Sequence, residues 1–237
     1  MNEIFCNKYS DGIRDGVPIG LGYISVSFTF GMMAVASGLP VWVAVAISMT
    51  NLTSAGQFAG LSMICAMAGY LEVALTQLVI NIRYALMSLS LSQKLKSDTK
   101  TPARLGISFG ITDEVFAVST TKIGKVGKRY MAGLITVPYI GWALGTLLGA
   151  VAGTLLPPSV QSALGIAIYG MFIAIIVPVA KNSKPVLIVT AIAVSMSCLF
   201  RYLPALNQVS GGFVIIICSV VASTIGAIIF PIKEENV

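Results

Sequence analysis

Histidine is absent from all 237 residues, and charge is scarce: Asp, Glu, Lys and Arg together make up 10% of the chain. The missing histidine removes the commonest metal ligand and the usual side chain that titrates near neutral pH. Cysteine is sparse as well. Cys6, Cys65, Cys198 and Cys218 are scattered with no CxxC pair, so they read as small apolar packing residues and not as a disulfide frame or a metal site. No GxxxxGK[ST] loop occurs, so ATP hydrolysis by this chain is not expected, and neither a cofactor nor a metal is implied. The opening MNEIFCNKYSDGIRDG carries mixed charge and no apolar core, so no signal peptide is read there.

What fills the chain instead is apolar. Hydrophobic residues make up 56%, and 23 glycines come on top. Soluble domains run roughly 45–50% apolar with glycine included, and about 25% charged. Several runs reach ~18–20 apolar residues, the length that crosses a bilayer. The expected class is therefore an all-α, polytopic integral membrane bundle forming a single domain over residues 1–237. The net charge of +6 could suggest nucleic acid. The basic residues lie in short loops between apolar runs, however, which reads as membrane topology with the lipid bilayer as partner and no nucleic acid.

Apolar segments fall at 17–37, 41–67, 71–92, 105–121, 130–154, 160–180, 185–203 and 208–230. Loop 93–104 carries Lys94, Lys96, Lys100 and Arg104, and loop 122–129 carries Lys122, Lys125, Lys128 and Arg129. Both should face the cytoplasm, yet only 105–121 separates them. That segment is short and holds Asp113 and Glu114 in its middle, so it is expected to be broken or re-entrant. If 41–67 is interrupted too, the remaining loops agree with six full spans; a plain seven- or eight-span count stays open. The stretches starting at Phe30 and at Leu144 share a small-residue helix end, a Leu-Pro turn and a new apolar run, at an offset of about 115 residues. An internal repeat and a coincidence of low-complexity membrane sequence both fit.

Polar residues inside the apolar runs mark the candidate site. NLTSAGQFAG, residues 51–60, interrupts the second run. Ser54 and Gln57 fit a capping box ahead of an apolar run. A helix starting at Ala55 would leave backbone N–H groups free near mid-membrane, where protein, water or substrate but not lipid can meet them. Such half-helix ends hold substrate carboxylates in transporters. A continuous helix with small polar packing residues is the alternative.

In TQLVINIRYALMSLSLS, Gln77, Asn81, Tyr84 and Ser88 form one stripe, with Arg83 nearly opposite Asn81. A helix with polar groups on two faces should sit centrally and show no wide face to lipid. Arg83 lies near the midpoint, where a cation costs roughly 2.5–3.5 kcal/mol and needs a partner. Glu72 is ~16 Å away along the axis, so Asp113, Glu114 or a substrate carboxylate is the expected one. A purely structural ion pair is the competing reading. For Asp113 and Glu114 it is a surface acidic cap, against which the apolar flanks Phe109 and Phe116 argue. Gly141, Gly145, Gly149 and Gly153 repeat every four residues, a ridge for close helix packing.

The ordered stretches GIRDGVPIGLGYI, AGQFAG, NIRYALMSLSL, GITDEVFA and GWALGTLLGA resemble the AzlC-type family of branched-chain amino-acid permeases. The resemblance covers roughly residues 10–180 and is clearest to about 155. It implies a bacterial inner-membrane secondary exporter of branched-chain or similar neutral amino acids, working with a small AzlD-type membrane subunit. Gln57, Asn81, Arg83, Asp113 and Glu114 match the family pattern. The chain departs from it at Gly56, where the family usually has serine, and at Tyr84, where it usually has histidine. Residues 168–170 also read Ile-Tyr-Gly, where the family often has Leu-Pro-Ala. The expected substrate-binding set is Ser54, Gly56, Gln57, Phe58, Asn81, Arg83, Asp113 and Glu114, with Phe58, Phe109 and Phe116 as apolar wall. Exchange against the proton gradient is the default mechanism. A channel, or a structural subunit whose partner carries the pathway, is the runner-up. An intramembrane enzyme using Asp113 and Glu114 is disfavoured because nothing supports a nucleophile.

Overall fold

The computed structural model describes residues 8–157, 159, 160, 166, 170, 173 and 176–231. Its helices are α1 (Tyr9–Ala36), α2 (Val41–Thr50), α3 (Ser54–Cys65), α4 (Tyr70–Lys94), α5 (Thr101–Phe109), α6 (Asp113–Thr121), α7 (Lys128–Ala152), α8 (Lys184–Tyr202) and α9 (Gly211–Ile229). A short 3-10 turn, Gly153–Leu155, ends α7. Among the described residues there is no strand, only an isolated parallel bridge between Leu95 and Val126. Among the described residues five helices are long and apolar enough to cross a membrane: α1, α4, α7, α8 and α9. The span read at 160–180 lies largely outside the described residues.

The described chain forms two compact units, divided within α3 and α4. In the first, α1 and α7 run side by side and parallel. Gly12 lies against Tyr130 and Leu134, Gly20 against Gly141, Ile24 against Gly145, Phe28 against Gly149 and Met32 against Gly153. Both sequences advance together, so the glycine ridge of α7 meets α1 backbone to backbone along its whole length. Small residues permit this approach, which supplies dispersion contacts where lipid removes the hydrophobic drive. The ridge read from the sequence therefore packs within the chain. Its counterpart on α1, Gly12, Gly16 and Gly20, was not read.

Helix α1 begins at Tyr9, eight residues before the apolar run. Its polar first turns are stabilised by distant groups: Asp15 pairs with Lys122 at 2.6 Å and accepts the Tyr130 hydroxyl at 2.8 Å. The turn at Gly38-Leu39-Pro40 appears as expected. Gly38 takes φ +90°, a left-handed conformation that glycine adopts without a Cβ clash, and Leu39 donates back to the Ala34 carbonyl.

Both interrupted segments fold as hairpins. Thr50 ends α2 and Ser54 starts α3, so the chain breaks at 51–53. The Ser48 hydroxyl donates to Gln57 Oε1 at 3.4 Å across this break, which holds the start of α3 against the end of α2. The second break is 110–112, between α5 and α6. Its limbs start and finish together. Lys96 N–H donates to the Val126 carbonyl, and Val126 N–H donates to the Lys94 carbonyl, each at 3.0 Å. The excursion from 95 to 126 thus returns to its starting point, and the two basic loops share one face, as a re-entrant element requires.

One expectation for α4 needs correction. Leu75, Leu78, Ile82, Leu86 and Leu89 are all exposed and form a continuous apolar stripe. The polar residues occupy the other side, and the long Arg83 side chain serves its partner without consuming this face.

In the second unit, α8 and α9 pack where Gly226 meets Val189. The buried Glu72 carboxylate at the start of α4 accepts from the Ser210 hydroxyl at 2.5 Å and from Gly212 N–H at 3.0 Å. It thereby caps the first turn of α9, where the helix dipole favours an anion. Cys218 is buried as a small packing residue, whereas Cys65 and Cys198 are exposed.

Candidate functional site

The tips of the two hairpins meet. A cavity of ≈ 210 Å³ is lined by Thr50 to Thr53 from the first tip, Ser108, Phe109 and Ile111 from the second, and Asn81 and Tyr84 from α4. Asn81 and Arg83 stand near the middle of the 25-residue helix α4, so the cavity lies at mid-depth. Two helices begin at its edge, α3 at Ser54 and α6 at Asp113. Each has a threonine cap: Gly56 N–H donates to Thr53 Oγ1 at 3.4 Å, and Val115 N–H to Thr112 Oγ1 at 3.3 Å. The capping residue of α3 is therefore Thr53, one position before the serine read from the sequence. With the cap moved, Gln57 falls outside the capping-box register. It is buried instead, with its Nε2 donating to the Asn51 carbonyl, and so braces the tip from behind.

Arg83 pairs with Asp113, Nη2 to Oδ2 at 2.9 Å. Its Nη2 also donates to the Tyr84 hydroxyl at 3.4 Å, which ties the ion pair to a residue lining the cavity. Both charged side chains remain about half exposed, at 48% and 45%. An ion pair this open cannot face hydrocarbon at mid-depth, so water or another protein surface must meet it. Glu114 points elsewhere and accepts the Tyr23 hydroxyl of α1. The Tyr23 ring packs edge-on against Trp142 at 5.0 Å. One carboxylate thus serves Arg83 while its neighbour anchors α6 to α1.

Of the expected site residues, Asn81 lines the cavity and Arg83 with Asp113 adjoins it. Ser54 and Gly56 form the first turn of α3, while Gln57 and Glu114 brace the two hairpins from behind. Of the three wall aromatics only Phe109 lines the cavity. Phe58 packs edge-on against Phe30 at 5.6 Å, and Phe116 packs into the core around Val115 and Tyr130.

Residues unread in the sequence complete the setting. Tyr139 of α7 touches both tips: its ring meets Phe109 at 6.2 Å, and its hydroxyl donates to the Met49 carbonyl at 3.1 Å. The Ser48 and Thr146 hydroxyls share a 2.7 Å hydrogen bond that fixes α2 to α7. The two hydrogen bonds join residues 90 and 98 positions apart, and no local spacing could have signalled them.

These features define a multi-pass α-helical membrane protein organised around two broken-helix hairpins that point at each other. The profile of the AzlC family, described as AzlC protein, matches residues 18–156, and the chain belongs to that family. It is similar to "Inner membrane protein YgaZ" of Escherichia coli, 28% identical over 191 residues and covering 78% of each chain. An "Uncharacterized membrane protein" of Archaeoglobus fulgidus is 32% identical over 176 residues, 73% of this chain and 77% of the relative. One from Helicobacter pylori is 28% identical over 154 residues, 63% and 66% of the two chains. No solved structure matches this chain.

Proposed function

We propose that this chain is a secondary transporter that exports branched-chain or similar neutral amino acids across the bacterial inner membrane. The observation that carries the reading is the meeting of two hairpin tips beside a half-exposed arginine–aspartate pair at mid-depth. Transporters build substrate sites from such interrupted helices near the bilayer midplane. The cavity is smaller than the roughly 300–1,000 Å³ typical of drug-sized ligands, which suits a small solute. A zwitterion fits its polarity. The planar fork of Arg83 and the N–H groups opening α3 would hold a carboxylate, and Asp113 would hold the ammonium. Leu52, Phe109 and Ile111 supply apolar wall for an aliphatic side chain. Substrate binding would then replace the Arg83–Asp113 contact with two contacts to the ligand. Movement of the hairpins against the α1–α7 pair would alternate access, with the proton gradient as driving force. This is binding and release without covalent chemistry, so the chain is read as a carrier and not an enzyme.

The family resemblance and the exposed stripe of α4 also support a small AzlD-type subunit as partner. Such a subunit on Leu78, Ile82 and Leu86 would shield the neighbouring ion pair from lipid. The test is efflux of labelled valine, leucine, isoleucine and methionine from preloaded cells, with and without the small subunit. Saturable, proton-dependent efflux with counterflow is expected. Flux that never saturates would instead indicate a channel, and flux unaffected by deleting this chain would end the proposal.

A path to the basic face accompanies this reading. A second cavity of ≈ 170 Å³ shares Ser108 and Ile111 with the first and continues past Ser88 and Ser92 to Arg104. Arg104 closes its far end, with Nη1 donating to Ser92 Oγ at 2.7 Å and Nε to the Thr99 carbonyl at 3.0 Å. In a chain freed of its native cysteines, Ser88→Cys is expected to react with a membrane-impermeant thiol reagent from the cytoplasmic side, and substrate should slow it. Leu89→Cys, on the exposed apolar stripe, should stay unlabelled because thiolate forms only in contact with water. Equal labelling at the two positions would exclude this path.

A further inference from the structure

The first unit holds a larger groove that the transport reading does not use. It measures ≈ 520 Å³ and runs between α5 and α7, with Ala103, Gly106, Ile107, Ala132 and Ile135 among its lining residues. The protein leaves this space open: a methyl group added at Gly106 would meet nothing within 4 Å. The contrast with the α1–α7 contact is direct, since methyl groups at Gly133 or Gly141 of the same helix α7 would collide with α1 backbone.

Lys128 and Arg129, the first residues of α7, stand at one end of the groove. From there to Thr136 the groove follows α7 for about 12 Å, given a rise of roughly 1.5 Å per residue. Both cations are exposed, and neither belongs to an ion pair among the described residues. They share their face with the other basic loop through the Leu95–Val126 bridge. An apolar trough capped by two unpaired cations, at the level where an anionic leaflet presents its headgroups, matches one kind of molecule in charge and in polarity along its length.

The geometry points to a site for an anionic phospholipid, with an acyl chain lying between α5 and α7 and the phosphate held by Lys128 and Arg129. This assignment is independent of what the central cavity carries. It gives the lipid a position between the outer limb of the second hairpin and the helix that packs on α1. Anionic lipid would therefore brace α5.

The experiment uses the full chain purified in detergent, washed, and returned to phosphatidylcholine bilayers with increasing phosphatidylglycerol. Bound lipid is counted by native mass spectrometry, and thermal stability is followed in parallel. Wild type is expected to retain phosphatidylglycerol over phosphatidylcholine and to gain stability from it. Lys128→Ala combined with Arg129→Ala should weaken this retention about thirtyfold, at roughly 1 kcal/mol for each basic residue near the surface. Gly106→Leu tests the trough separately. It should fill the space without a clash, keep wild-type stability in phosphatidylcholine and lose the preference. Retention unchanged in Gly106→Leu would overturn the proposal. So would stabilisation by inorganic phosphate equal to that by lipid, or a preference that appears only when a protein partner is present.

Discussion

Arg83→Lys is expected to reduce substrate efflux by about a hundredfold or more while the amount of folded, membrane-inserted protein stays at the wild-type level. Lysine keeps the positive charge, so Asp113 retains a counter-ion and the mid-depth charge balance is preserved. What lysine lacks is the planar fork that meets a carboxylate through two parallel N–H groups. It also cannot reach Asp113 and the Tyr84 hydroxyl with one rigid group, as the guanidinium does. Misplacing a binding group by about 1 Å can cost on the order of a hundredfold in rate. The check is initial efflux rate per unit of inserted protein. If transport survives with only a modest loss of protein, the ion pair serves packing and the binding role assigned to Arg83 is wrong.

Gly149→Ala is expected to have the largest effect on stability of any single methyl group in the first unit. The added carbon would run into the Phe28 carbonyl oxygen and carbon of α1. Backbone cannot rotate away as a side chain does, so α1 and α7 must separate along several turns. Overpacking typically costs about 1–3 kcal/mol, and a backbone collision belongs at the upper end. Gly22→Ala is the control: it lies on α1, and a methyl there meets nothing within 4 Å. Thermal unfolding in detergent should show a clear fall for Gly149→Ala and almost no change for Gly22→Ala. Similar melting of the two would mean that the α1–α7 contact is looser than described.

The sequence disclosed these features unevenly, for a physical reason. Hydrocarbon penalises unpaired polar groups severely, so each one inside an apolar run points to a partner. That made the need of Arg83 for an anion legible, and Asp113 answers it. It also made the first helix break legible to within a residue, because Asn51 to Ser54 carry cap chemistry in the wrong place for a plain span. The second was legible as a broken segment from its length and its two carboxylates, but its position at 110–112 and the Thr112 cap were not. The choice of Thr53 over Ser54 as cap was not legible, since either hydroxyl satisfies the local pattern. Nor were Tyr23, Tyr139 and the Ser48–Thr146 bond, whose partners lie far along the chain. The exposed stripe of α4 was misjudged because helical spacing tells where side chains point and not how far a long arginine can bend. The stretches that start at Phe30 and Leu144 begin at the ends of α1 and α7, which lie parallel and in contact.

The pairing of α1 with α7 has a consequence for how the protein is made. Phe28 waits for Gly149, a partner roughly 120 residues downstream. At translation rates of about 5–20 residues per second, α1 emerges on the order of ten seconds before the surface it matches. Throughout that interval its glycine face lacks the α7 backbone, and Asp15 lacks Lys122 and Tyr130, that meet them in the folded chain. The α1–α7 contact therefore forms only after the second half has left the ribosome, late in synthesis.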